Sequence, residues 1–304
     1  MRTRPLVVVL ALLALGCLKV DRAFASTGAR RSRSDKNIAA IGHRNIVGEK
    51  SLGNWYSLDR EKEMGKQCAA EIERSLRILN DRAMTDYVAR VADNVARNSD
   101  AQMPITVQLI DSEQVEAFTL PGGYQYITRG LLVQLESESE LASVIARGIA
   151  HTALRSATRL MTREAWANIG SIPLVYVGSS VPPNSASGIG TPLTMLSFRR
   201  RFEFDADYFG VQYVYKAGYR VESFTNSMQR IWPVSRVSVQ AFSPFPPTPD
   251  RLKALRKEIG DLLPKRDSEI VSTPEFEGFK ERLIGWKPVA PVPTQPGEKP
   301  LARE

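Results

Sequence analysis

The chain has 304 residues, 43% of them hydrophobic and 24% charged, with a formal net charge of +8. That length and hydrophobic share exclude a fully disordered chain and allow one large domain or two small ones. Only two cysteines are present, Cys17 and Cys68, which excludes a disulfide framework.

The N-terminus has the layout of a targeting segment. Arg2 and Arg4 precede an apolar run from Leu6 to Leu15. A run of about ten residues is roughly half of what a bilayer span requires. Two exits fit. Ala23-Phe24-Ala25 before Ser26 obeys the small-x-small cleavage rule, making residues 1–25 a signal peptide. Ala14-Leu15-Gly16-Cys17 resembles a lipobox, in which Cys17 becomes the lipidated N-terminus, although Ala14 stands where Leu is usual. Either exit, or an uncleaved anchor, puts the rest of the chain in the periplasm or outer cell envelope, soluble or lipid-anchored. With Cys17 lost or lipidated, Cys68 is expected to be a buried free thiol.

Residues 26–55 are rich in Ser, Arg and Gly, have no apolar period, and read as a flexible basic linker. Arg30, Arg31, Arg33, Lys36 and Arg44 cluster there. Such a run can bind nucleic acid or anionic lipid. Without interleaved aromatics or a recognised binding fold it reads as a solvated tail, and no nucleic-acid partner is expected.

From Leu58 to Asn98 the apolar residues recur at helical spacing, first Met64, Cys68, Ala69, Ile72, Leu76 and Leu79, then Met84, Tyr87, Val88, Val91 and Val95. These are two consecutive amphipathic helices. Ile105, Val107 and Leu109 then alternate with polar residues, a strand signal. A turn at Pro121-Gly122-Gly123 leads into a second strand, Tyr124 to Thr128, and Leu131 to Leu135 reads as a short helix. Ser137-x-x-Glu140 is a capping box that opens a helix running to about Leu160. Residues 170–192 are rich in Gly, Ser and Pro and read as a mobile loop or lid over a cleft. Helix resumes from Phe198 to Lys216, ends at Ala217-Gly218-Tyr219, and is followed by helices from Val221 to Trp232 and from Asp250 onward. Pro244, Pro246, Pro247 and Pro249 make a rigid turn. The tail 286–304 is Pro-rich and disordered in this reading, so a cut after about Arg282 should leave the fold intact.

The chemistry centres on Arg147-Gly148-Ile149-Ala150-His151. A zinc peptidase needs two His at i and i+4, a Glu beside the first as general base, and a third ligand from elsewhere. Alone, this five-residue string carries little. Its surroundings carry more. The run Val115-Glu116-Ala117-Phe118-Thr119-Leu120-Pro121-Gly122-Gly123-Tyr124, then Ile127-Thr128-Arg129-Gly130-Leu131-Leu132, resembles the family-48 zinc metallopeptidases. These gluzincins include the CAAX prenyl protease and the periplasmic beta-barrel assembly-enhancing protease. Glu203-Phe204-Asp205-Ala206-Asp207 is similar to their E-x-x-A-D motif, Ala217-Gly218-Tyr219 to the A-G-Y after it, and Pro247-Thr248-Pro249-Asp250-Arg251 to a late P-T-P-x-R segment. The resemblance covers about residues 56–260.

The resemblance implies a mostly helical α+β gluzincin-type domain over 56–285, with a small β-sheet beside the active-site helix. It also implies a broken site. Arg147 stands at the first His ligand, Gly148 at the general base, and Phe245 at a His close to the metal. His151 and Glu203 remain as ligand positions and Asp207 as a supporting carboxylate, while Glu116 replaces the family's Asn. The only other histidine, His43, lies in the linker. A guanidinium stays protonated and repels a cation, so no cofactor is expected where the family uses zinc. The leading reading is a pseudopeptidase that binds an unfolded or envelope protein or peptide, with possible membrane association through the Cys17 lipid anchor. Tyr124, Gln125, Tyr126, Ile127 and Thr128 are expected to form the edge strand on which peptide pairs. The alternative is an active zinc metalloendopeptidase with an atypical site built on His151, Glu203 and Asp205 or Asp207. Without zinc, Glu203 needs another counter-charge, and Arg147 is expected to supply it.

Overall fold

The computed structural model describes residues 35–47, 54–167, 193–231 and 249–286, with side chains omitted at 163–167 and 193–200. The signal or lipobox segment with Cys17, the loop 170–192, the proline turn with Phe245, and the tail beyond 286 lie outside the described residues. The chain divides into two units, residues 1–44 and 45–304. In the first, a 3-10 turn spans Ile38–Ala40, capped by the Asn37 side chain, which accepts from the Ala39 N–H at 3.1 Å. The second unit holds every other described element.

That unit is mostly helical, with one small sheet. Helix α1 spans Leu58–Ser75 and α2 spans Arg82–Arg97. Each starts where a short polar side chain satisfies a helix N–H: Ser57 accepts from Arg60 N and Asp81 from Met84 N, both at 3.1 Å. Such caps contribute about 1 kcal/mol each. The apolar face of α2 (Met84, Tyr87, Val88, Val91, Val95) is buried. Cys68 on α1 is a free thiol that is only half-buried, not fully enclosed, because α1 covers the sheet with one side and keeps the other in solvent.

Three strands follow: β1 at Thr106–Ile110, β2 at Ala117–Thr119 and β3 at Tyr124–Thr128. The sheet order is β1-β3-β2. Strand β3 runs parallel to β1, with Gln125 opposite Val107, and antiparallel to β2, with Gln125 opposite Thr119. Tyr124–Thr128 is therefore the central strand, not an edge. The tight turn at Pro121–Gly123 folds β3 back between its neighbours, and Gly122 and Gly123 adopt φ of 77° and 90° there. The outer strand beside the helix Glu138–Ala153 is β2, whose three residues are too few to register as an alternating pattern.

Helix α3 spans Arg129–Gln134 and α4 spans Glu138–Ala153. Ser137 accepts from Glu140 N at 3.3 Å, but the Glu140 carboxylate accepts from Glu136 N at 2.7 Å, so the reciprocal arm of the capping box reaches one residue further back. The helix expected to reach Leu160 ends at Ala153. Arg155 takes a left-handed φ of 52°, and α5 starts anew at Ser156–Ala167. That turn is held by its side chain: Arg155 Nε donates to buried Glu61 at 2.7 Å and Nη2 to Tyr56 O at 2.6 Å. Helix α6 spans Leu193–Lys216, α7 Glu222–Ile231 and α8 Pro249–Leu262. Helix α4 runs through the middle, against α2, α6 and α7.

A further helix, α9 at Pro274–Ile284, corresponds to no element expected from the sequence. Thr273 caps it, Pro274 opens it, and Phe276, Phe279 and Leu283 are buried. Leu283 is completely enclosed, so the dispensable tail cannot begin as early as Arg282. Lys280 donates to the carbonyls of Leu132, Val133 and Leu135 at the end of α3.

Candidate functional site

The two helices that carry the sequence-derived residues face each other. On α4, Arg147 and His151 are one turn apart and share a face. On α6, Glu203 and Asp207 are also one turn apart and face them. Gly210, one turn further along α6, allows the close approach: a Cβ there would lie 3.3 Å from the Arg147 Cα and 3.1 Å from the Phe224 ring.

Arg147 Nη2 pairs directly with Glu203 Oε2, and its Nε lies 3.5 Å from Asp207 Oδ1. The contact expected from the lost ligand is therefore present. A second guanidinium joins it. Arg251, in the first turn of α8 and buried, pairs with both oxygens of Asp207 through Nε and Nη2 and reaches Glu203 Oε2 at 3.4 Å. Two cations and two carboxylates thus interlock across α4, α6 and α8. Bidentate pairing of this kind is the strong form of the arginine–carboxylate contact. His151 completes the group, with Nε2 at 3.5 Å from Glu203 Oε1 and Nδ1 at 3.2 Å from Ser156 Oγ. Ser156 stands there because the Arg155 turn restarts the helix.

Burial, then the neighbouring Arg251, pull the Arg147 pKa down to about 10, against the opposing pull of Asp207. Arg147 thus stays charged at neutral pH. Burial, then Arg147 and Arg251, push His151 well below the usual imidazole range, so it is neutral there. Position 148 has no side chain, and the Gln125 carboxamide from β3 lies over it. Asp205 pairs with Arg201 at 4.0 Å along α6. Glu116 engages Thr128 through its backbone: its N–H donates to the hydroxyl and its carbonyl accepts from the Thr128 N–H. Arg251, Ser156 and the inward reach of Gln125 were not singled out from sequence. The P-T-P-x-R segment already contained Arg251; nothing local marked the other two.

The sequence model of peptidase family M48 matches residues 82–259, more than half of the chain. The chain belongs to peptidase family M48. A beta-barrel assembly-enhancing protease of Yersinia pestis is 27% identical over 61% of this chain and 40% of its own length. The Escherichia coli K12 protein of the same description is 24% identical over 77% of this chain and 50% of its own. The mitochondrial metalloendopeptidase OMA1 of Schizosaccharomyces pombe is 25% identical over 77% and 71%. The chain thus spans about half the length of the bacterial relatives.

Metallopeptidases of family M48 are zinc-dependent, and a catalytic zinc takes three protein donors and a water. In this M48 chain the donors fall short. His151 and Glu203 offer one free-facing atom each, the other Glu203 oxygen and both Asp207 oxygens are engaged by guanidinium groups, and position 147 supplies a cation. Among the described residues no three His, Cys, Asp or Glu side chains gather as a metal site. The described residues of the site do not fit a catalytic zinc.

Proposed function

We propose that this M48 chain is a pseudopeptidase of the cell envelope that binds an extended peptide or protein partner beside α4 rather than cleaving it. One observation carries the reading: the Arg147 guanidinium pairs with Glu203 and lies 3.5 Å from Asp207, on the helix face that a metal would have to share with His151. With a cation there and glycine at the base position, the described residues offer neither three free donors nor a carboxylate at the usual general-base position, which supports the reading.

The sheet supports a docking mode. Among the described residues β2 is paired on one side only, to β3, and it packs next to α4. An extended segment that added to β2 would lie along the cleft, a form of β-augmentation. Placement in the envelope follows from the targeting features of residues 1–25, with either a cleaved signal or a lipid on Cys17. The relatives described as beta-barrel assembly-enhancing proteases are compatible with that setting. No helix among the described residues is long and apolar enough to cross a membrane.

Elemental analysis of the mature protein, together with a cleavage assay on unfolded casein, tests the reading. The expected result is less than a tenth of a zinc per chain and no cleavage above buffer, an order-of-magnitude margin against the single zinc of a catalytic site. One tightly held zinc per chain with chelator-sensitive cleavage would establish the atypical metallopeptidase instead.

A further inference from the structure

The ion cluster accounts for Arg147, Glu203, Asp207 and Arg251, but not for the contact one residue along α4. A Cβ built on Gly148 would lie 2.6 Å from the Gln125 Cδ, 2.7 Å from its Oε1 and 2.9 Å from its Nε2. Packed atoms do not approach that closely, so any side chain at 148 requires this carboxamide to swing out of its present place.

The backbones on both sides are held, so only the carboxamide end of Gln125 can give way. Gln125 is 3% exposed and sits on the central strand, laddered to Val107 on one side and Thr119 on the other, so its backbone cannot shift without disturbing both pairings. On the helix side, Arg147 ties α4 to α6, where Gly210 already brings the two backbones close. No hydrogen bond explains where the carboxamide lies: its buried Nε2 has no partner among the described residues. Leaving a buried donor unpaired is unfavourable, and the space over Gly148 is what admits the amide there.

We propose that Gln125 closes the general-base position of this site. The strand supplies a neutral carboxamide in the volume that a side chain on helix residue 148 would need. Helix and strand are thereby coupled, and restoring the peptidase motif at 147 and 148 alone does not restore its geometry. The inference rests on packing and on membership of the family, and it stands whichever partner the cleft binds.

A double-mutant cycle in the full chain tests it without any ligand. Helix propensity alone makes Gly148→Ala stabilising, because alanine is the better helix former. The expected result is the opposite: a melting temperature lower by several degrees in the parent, and a rise when the same change is made in Gln125→Ala. If Gly148→Ala does not fold, folding of the double variant supports the coupling. Failure of both to fold, or the same rise in both backgrounds, overturns it. Metal-dependent cleavage of casein by Arg147→His/Gly148→Glu with Gln125 in place overturns it as well.

Discussion

Arg147 is where sequence and structure meet most directly. Its replacement by alanine removes one guanidinium from the desolvated cluster and leaves Glu203 with the longer contact to Arg251 at 3.4 Å as its remaining cation, besides the approach of His151 Nε2 at 3.5 Å. Breaking a buried pair typically costs about 3–5 kcal/mol, and the remaining Arg251 contact brings the expected loss to about 2–3 kcal/mol. Adding Glu203→Gln should recover part of it, since the unpaired charge is gone; strictly additive losses by denaturant titration would show that the two side chains do not interact. His151 makes a second prediction. Its folded-state pKa is pushed well below 6.5, so it stays neutral in the fold while the unfolded chain takes up a proton. The unfolded state then binds more protons, so stability is full above about pH 6.5 and falls as pH drops below it. Thermal melts from pH 7.5 to 5 should show that decline, and His151→Asn should flatten it. These roles were legible because a motif fixes which residues share a face of α4 and of α6. Arg251 was not, since its reach to Asp207 depends on how α8 docks. Gln125 was not either: alternation along a strand says which face a side chain takes, not what lies across it.

At the scale of elements, capped helices were the easiest to read. Ser137 announced a start in the sequence, the structure adds Ser57 and Asp81 as caps, and the apolar spacing behind all three fixes the buried face. The break between α4 and α5 left no such mark. Arg155 is neither glycine nor proline, and its left-handed turn is held from outside by Glu61 and the Tyr56 carbonyl. Glu61→Gln should therefore weaken that turn and lower the melting temperature, and adding Arg155→Gly, which removes the side chain and relaxes the backbone, should offset part of the loss. Strand order was likewise beyond reach, because a period of two does not name partners, and β3 became central only through the Pro121–Gly123 turn. Helix α9 went unread, although Phe276, Phe279 and Leu283 hold helical spacing and Thr273-Pro274 marks its start. Phe276→Ala is expected to cost about 3–5 kcal/mol. A chain ending at Arg282 should melt lower than one ending at Trp286, because only the longer one retains Leu283.

For the whole molecule, the described fold is held by polar joints as well as by its core. Glu138, buried at the start of α4, accepts hydroxyl hydrogen bonds from Tyr87 on α2, Tyr219 after α6 and Thr273 before α9. All three partners donate, so Glu138→Gln would place an amide donor among donors, and a marked loss of stability is expected. The ion cluster is the other joint, and its members are far apart along the chain: 56 residues separate Arg147 from Glu203, and 44 separate Asp207 from Arg251. Contacts between such distant segments, made between charges that must first lose their water, form late on the way to the native state. Their contribution then sits almost entirely on the far side of the folding barrier. Arg147→Ala should leave the refolding rate nearly unchanged and speed unfolding roughly 30- to 160-fold. A cation built into the chain thus acts as a latch on lifetime: unlike a bound metal, it cannot be drawn off by a chelator or diluted away, and the time the domain stays folded is written into its covalent structure.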